Sequence, residues 1–169
     1  MKLTPEEKQI RTDRMKYTKN TVSSRFCYLA IALDVLFFIN IYESDRGSWY
    51  YQILIGASII YNLLFLLFTF LASEGVKNYH PGYTSLLYVL GGIQIIRVFI
   101  LPLQAMNTQI KIASNMEAVM GLPQGIRAIA WLVLSAACLI LAGAVNLHKY
   151  TELKTHESLS GASSAKEVN

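Results

Sequence analysis

Residues 24–42 have the sequence SRFCYLAIALDVLFFINIY, an apolar run that contains Asp34 near its middle. Residues 83–103 have the sequence YTSLLYVLGGIQIIRVFILPL, a second apolar run that contains Arg97. Each run matches the length of about 20 helical residues that crosses the hydrocarbon core of a bilayer. A charged side chain at that depth costs roughly 3 kcal/mol or more. We therefore expect Asp34 and Arg97 to face the interior of a helical bundle, and their opposite charges predict that they pair.

Two further apolar segments, residues 53–73 and 126–147, are also long enough to span a membrane. The chain is 53% hydrophobic and only 15% charged, whereas a soluble domain carries about a quarter charged residues. Four buried helices of this length would leave a soluble protein with no polar surface. The sequence therefore predicts an all-α membrane protein. Its fold is a four-transmembrane-helix bundle over residues 24–149, with an additional amphipathic helix in the outer loop.

The distribution of lysine and arginine predicts the orientation of this bundle. Seven of the fifteen basic residues fall within residues 1–25. Placing both termini in the cytoplasm gives eleven basic residues inside and three outside, with Arg97 uncounted, as the positive-inside rule requires. We expect a multi-pass protein of a cell membrane with both termini cytoplasmic. The Lys-rich start and the lack of a luminal domain favour a bacterial inner membrane.

The two ends of the chain are predicted to differ. Residues 1–23 are basic, and Thr4-Pro5-Glu6-Glu7 favours a helix start because it supplies a cap, a first-turn proline and two carboxylates. We expect a surface helix at the inner leaflet. A cleavable signal peptide is not expected, because no small-residue cleavage site follows the first apolar run. Residues 150–169 are rich in Ser, Ala and Glu and are expected to form a disordered cytoplasmic tail.

The outer loop has a helical pattern over residues 106–120. Met106, Ile110, Met116 and Met120 recur at helical spacing, and polar residues fall on the opposite side. We therefore predict an amphipathic helix with a methionine-rich face. Methionine adapts to irregular surfaces, so these four residues are candidates for binding a protein partner or an apolar ligand. The alternative is an interfacial helix that lies among the lipid headgroups.

The predicted polar centre of the bundle comprises Asp34, Arg97, Gln94, Asn62 and Asn40. Gln94 lies one turn before Arg97, Asn62 belongs to a polar stripe on the second span, and Asn40 lies in the outer half of the first span. Asp34 and Arg97 are expected at heights of about 15 and 21 Å along their helices, which permits pairing. Three interpretations stay open: a buried pair that fixes helix register, a proton or cation site at Asp34, and a charge that meets a partner subunit.

No catalytic or phosphate-binding motif occurs in the sequence. The three histidines lie outside the middle of the spans. Only two of them could approach each other, and two histidines alone make a poor ligand set, so we expect no metal and no cofactor. The basic cluster lacks interleaved aromatic residues, so nucleic acid is not an expected partner. The expected partners are the lipid bilayer and either another protein or a second copy of this chain.

The leading functional hypothesis is a non-enzymatic accessory or scaffold subunit of a membrane complex, or a self-associating bundle. The first alternative is a small transporter or channel that uses Asp34 as a proton or cation site. The second is a membrane enzyme acting on a lipid-linked substrate at the outer leaflet, with Asp34, Gln94, Arg97 and Asn40 around its site. Catalysis is the less favoured class because no reaction is indicated by any motif.

Overall fold

The computed structural model describes residues 19–42, 49–112 and 115–167. In chain order its elements are α1 (Thr21–Tyr42), α2 (Trp49–Lys77), α3 (Gly82–Ile100), α4 (Pro102–Asn107), β1 (Gln109–Ile112), β2 (Asn115–Ala118) and α5 (Leu122–Glu167). Helices α1, α2, α3 and α5 are long and apolar enough to cross a membrane. The predicted four-span helical bundle is therefore confirmed, and the chain has the architecture of a multi-pass membrane protein.

Helix α5 lies against α1 on one side and α3 on the other, while α2 packs mainly against α1 and less extensively against α3. Close packing of α3 on α5 depends on Gly91. A Cβ atom added there would lie 3.2 Å from Cγ1 of Ile140 and 3.4 Å from the carbonyl oxygen of Ala136. Large apolar side chains such as Ile60, Leu63 and Phe99 are exposed on the outside of the bundle, as expected for a surface that faces lipid.

The outer loop contains a β-hairpin, so the predicted amphipathic helix over 106–120 is wrong. Strands β1 and β2 pair antiparallel, with Gln109 opposite Ala118. The backbone N–H of Met120 donates to the carbonyl oxygen of Ala105 at 3.2 Å, whereas a continuous helix would separate these residues by about 22 Å. The short segment QIKI also alternates β-branched and polar residues, and that pattern favours a strand.

Two residues of the predicted methionine-rich face, Met106 and Met120, pack against the bundle. Met120 is only 2% exposed and belongs to an apolar cluster at this end of the bundle. Met106 packs against the same cluster, where it lies so close to Gly125 of α5 that a Cβ atom on this glycine would overlap it. The side chains of Ile110 and Met116 lie outside the described residues. The two described methionines therefore stabilise the loop against α5.

Residues 150–167 of the predicted disordered tail 150–169 are instead helical, because α5 continues without interruption to Glu167. The hydroxyl of Thr151 donates to the carbonyl oxygen of Leu147 at 3.0 Å, and His148 lies 3.6 Å from Glu152 one turn later. These contacts and the helix already formed in the bundle favour continuation over a costly new start. The predicted surface helix within residues 1–23 falls largely on residues 1–18, which lie outside the described residues.

The bundle has a hairpin end and a tail end. The hairpin end is the end at which α4, β1 and β2 lie. The tail end is the opposite end, where α1 begins and where the last residues of α5 extend past the other helices. Asp34 and Arg97 both lie nearer the hairpin end, because Arg97 is in the last turn of α3.

Candidate functional site

Three helices place the central polar side chains. Asp34 lies on α1, Ser58 on α2, and Gln94 and Arg97 on α3. Gln94 and Arg97 are three residues apart, so they project from one face of their helix. All four residues are buried, with Asp34 1% exposed and Arg97 6% exposed. The structure therefore brings together the two charges and the glutamine that the sequence assigned to the polar centre.

The charges of Asp34 and Arg97 form a direct ion pair. The Nη1 atom of Arg97 donates to Oδ1 of Asp34 at 3.1 Å, and Nε2 of Gln94 donates to the same oxygen at 2.9 Å. The other terminal nitrogen of Arg97 donates to Oγ of Ser58 at 2.6 Å. These bonds connect α1, α2 and α3 through one guanidinium, and such charge-assisted bonds are the stronger class of hydrogen bond.

Two aromatic rings enclose the guanidinium. The Arg97 Cζ atom lies 4.3 Å from the ring centroid of Phe37 and 4.6 Å from that of Tyr61. Both distances are within the range of cation–π attraction, which is worth up to about 2 kcal/mol when the cation is desolvated. Arg97 thus has a counter-charge, hydrogen-bond acceptors and two aromatic faces, all supplied by this chain.

A small cavity borders the other side of Asp34. It has a volume of about 60 Å³ and lies between α1 and α2, with Asp34, Phe38 and Asn62 in its lining. The Oδ2 atom of Asp34 and both amide atoms of Asn62 are buried, and no hydrogen-bond partner for them occurs among the described residues. Asn62 therefore lies near the polar centre and shares a cavity with Asp34 without bonding to it.

A larger groove separates α2 from α3 near the hairpin end. Its volume is about 180 Å³, and it is lined by Ala57, Ser58, Tyr61, Ile93, Ile96, Arg97, Ile100 and Leu101. The groove therefore has mostly apolar walls and a polar patch that includes the outer side of the buried arginine. It occurs where α2 and α3 pack less extensively than the other neighbouring helices.

Asn40 does not belong to the polar centre. Its Nδ2 atom donates to the carbonyl oxygen of Gln124 at 3.1 Å, and Nε2 of Gln124 donates to the carbonyl oxygen of Asn40 at 2.7 Å. This reciprocal pair joins the end of α1 to the start of α5. The group of Asp34, Gln94, Arg97 and Asn40 that an outer-leaflet enzyme would use is therefore not assembled as one site.

A second polar cluster, not predicted from the sequence, occupies the tail end. Nδ2 of Asn20 donates to Oδ1 of Asn146 at 3.1 Å, and Nδ2 of Asn146 donates to Oγ1 of Thr84 at 2.9 Å. Asn20 and Asn146 are both 0% exposed. One sequence signal for this cluster is the helical spacing of Asn146 with Ser135 and Ala142, which indicates an inward face. Asn20 gave no such signal because it belongs to the basic segment before the first apolar run.

Metal-binding chemistry is not indicated by the described residues. Within residues 19–42, 49–112 and 115–167, no three His, Cys, Asp or Glu side chains are grouped so as to hold a metal ion. His80 packs edge-on against Tyr83, while His148 lies beside Glu152. The expectation that no cofactor is bound stays a prediction.

Comparisons of this chain with protein-family models, with curated proteins and with solved structures found no match.

Proposed function

We propose that this chain is a non-enzymatic accessory or scaffold subunit of a membrane complex, or a bundle that associates with itself. The observation that carries the proposal is the enclosed ion pair. Arg97 bonds to Asp34, Gln94 and Ser58 and lies between two aromatic rings. A residue that binds and releases an ion or substrate must exchange partners, and separating a buried pair is costly. A buried arginine that has all of these partners within one chain is better suited to hold helices in a fixed arrangement.

The length of α5 supports the same proposal. The helix has 46 residues, which is about 69 Å at 1.5 Å per residue, whereas the hydrocarbon core is about 30 Å thick. A substantial part of α5 must therefore lie outside the membrane core. Residues 151 and 152 are already exposed beyond the bundle. We propose that this extension, residues 150–167, provides the contact with the partner chain.

The test is to extract the full chain from its native membrane into nanodiscs and to determine its mass and composition by native mass spectrometry. We expect a stoichiometric complex with one partner or a defined homo-oligomer. A chain that ends at Lys149 is expected to lose this association and to keep the thermal stability of the bundle. A chain in which residues 150–167 are replaced by a helix of unrelated sequence serves as the control. A full chain that is monomeric and without a partner would contradict the proposal.

We further propose that the protein lies in a bacterial inner membrane with both termini in the cytoplasm. The support is the number of basic residues, eleven on the proposed inner side and three on the outer side. In this orientation the hairpin end faces outward and the α5 extension lies in the cytoplasm. A reporter fused to the C-terminus measures the orientation, and an external reporter would overturn it.

A second candidate function is proton or cation transport through Asp34. The observation in its favour is the 60 Å³ cavity, where Oδ2 of Asp34 and the amide of Asn62 lack hydrogen-bond partners among the described residues. Unpaired polar atoms at membrane depth are costly and often mark an ion or proton pathway. The charge balance weighs against a resident cation, because Arg97 already neutralises Asp34.

Flux measurements in proteoliposomes separate the two candidates. If the leading proposal is correct, wild-type protein gives no proton or sodium flux above that of empty liposomes. If Asp34 is a transport site, wild-type flux is present and Asn62→Leu lowers it at least about tenfold, because the substitution fills the cavity and removes its polar lining. Thr69→Val is the matched control. Thr69 is also buried on α2, and its hydroxyl has no hydrogen-bond partner among the residues that the structure describes, but it does not line the cavity. Flux lost in both variants would contradict a specific site at Asn62.

A further inference from the structure

We infer that the groove between α2 and α3 binds one phospholipid molecule from the surrounding bilayer. The acyl chain would lie along Ile93, Ile96 and Ile100, and oxygens of the head-group region would accept hydrogen bonds from Ser58 and Tyr61. This inference goes beyond the proposed scaffold role, since it assigns a ligand to a surface that the helical contacts leave open.

The walls of the groove are continuous with the surface that faces lipid. Ile96 is 57% exposed and Ile100 is 49% exposed, and both line the groove. Ile60, which precedes Tyr61 on α2, is also largely exposed. A hydrocarbon chain can therefore enter from the side of the bundle without crossing a polar barrier, and it adds apolar contact in a space that the side chains leave unfilled.

The polar part of the groove supplies hydrogen-bond donors. Tyr61 lines the groove, and its hydroxyl is buried with no hydrogen-bond partner in the described part of the chain. Ser58 accepts a bond from Arg97 at 2.6 Å, so its own O–H proton remains available to another acceptor. Phospholipids carry the complementary groups, because their phosphate and ester oxygens accept hydrogen bonds.

The position of the groove agrees with the position of such oxygens in a bilayer. Arg97 lies three residues before the end of α3 at Ile100, which is about 4.5 Å along the helix axis. The polar part of the groove therefore lies in the half of the bilayer that is nearer the hairpin end.

The dimensions of the groove favour an acyl chain of a lipid over a helix from another protein. A helix with its side chains is about 10–12 Å wide, so it would rest on the rims formed by α2 and α3. The volume of 180 Å³ between these helices would then remain unfilled, and unfilled space weakens packing. One acyl chain can enter this space.

The experiment uses the full chain in nanodiscs of phosphatidylethanolamine and phosphatidylglycerol, transferred to detergent and measured by native mass spectrometry. We expect wild-type protein to retain one phospholipid. Ala57→Phe places a ring in the groove and should reduce the lipid-bound fraction to that of nonspecific adducts. Tyr61→Phe keeps the ring and removes only the hydroxyl. The fraction of protein with bound phospholipid should therefore fall by about fivefold, the effect expected for the loss of one hydrogen bond.

Ala32→Phe is the matched control, because Ala32 is an exposed residue of α1 that lies outside the groove. This variant should retain phospholipid as the wild type does. A second measurement is the thermal midpoint in detergent with and without added phosphatidylglycerol, which should rise for the wild type and not for Ala57→Phe. The inference is overturned if Ala57→Phe keeps its lipid, if Ala32→Phe loses it equally, or if Ala57→Phe disrupts a dimer and no lipid is released.

Discussion

Replacing Arg97 by methionine is expected to lower the free energy of unfolding by about 3–5 kcal/mol. The substitution leaves the carboxylate of Asp34 buried with Gln94 as its remaining donor among the described bonds. It also removes the bond to Ser58 and the cation between the rings of Phe37 and Tyr61. Unfolding by sodium dodecyl sulfate in mixed micelles, followed by circular dichroism, measures this change.

The double variant with Asp34→Asn and Arg97→Met tests whether loss of the ion pair causes the decrease in stability. Asp34→Asn alone should be destabilising by a similar amount, because it leaves the Arg97 cation without a counter-charge. With both substitutions the site contains only neutral groups. The decrease in the free energy of unfolding should therefore be smaller than the sum of the two single decreases by about 2 kcal/mol or more. Arg25→Met is the control, since Arg25 is exposed at the start of α1 and should change stability by less than about 0.5 kcal/mol. Additive losses would show that the two charges act independently.

The ion pair could be predicted from the sequence because an unpaired charge in the hydrocarbon core of a membrane is costly in free energy. Two opposite charges inside apolar runs must be neutralised, and helical rise placed Asp34 and Arg97 at heights that differ by about 6 Å. Gln94 followed from its spacing of three residues from Arg97. The four spans followed from the same demand, because only helices of a limited length cross the hydrocarbon core with their backbone groups bonded.

Asn40 shows that depth along a helix does not by itself predict whether a residue joins the polar centre. It lies six residues after Asp34, which rotates its side chain by about 120° from the face of Asp34. It consequently contacts Gln124 of α5 instead of joining the residues on α3. Membership of the polar centre depends on the face of each helix as well as on depth, and the sequence contains no direct information on which helices are neighbours.

The hairpin was missed for a different reason. Residues 106–120 contain apolar residues at helical spacing, but Ile110 and Ile112 also alternate with polar neighbours as in a strand. A segment this short satisfies both patterns. The choice depends on long-range contacts such as the bond from the Val119 N–H to the Thr108 carbonyl oxygen at 3.0 Å. Burial of Met120 against the bundle also stabilises the hairpin, and local periodicity gives no information on this tertiary contact.

Replacing Asn146 by leucine is expected to lower the free energy of unfolding by about 2–3 kcal/mol, because the tail end would lose the side chain that connects three parts of the chain. Asn146 accepts from Asn20 at 3.1 Å and donates to Thr84 at 2.9 Å and to the His80 carbonyl oxygen at 3.4 Å. The amide of Asn20, 0% exposed, would lose this acceptor, and leucine offers no polar atom in exchange.

Asn78→Leu is the control, since the side chain of Asn78 makes an exposed bond to the carbonyl oxygen of Glu74 and its loss should cost less than about 1 kcal/mol. The same micelle unfolding assay measures both variants, and equal losses would show that the Asn146 cluster adds no more stability than a surface amide. A large loss for Asn146→Leu alone would establish that the bundle is fastened at both ends, by an ion pair near the hairpin and by neutral amides at the tail.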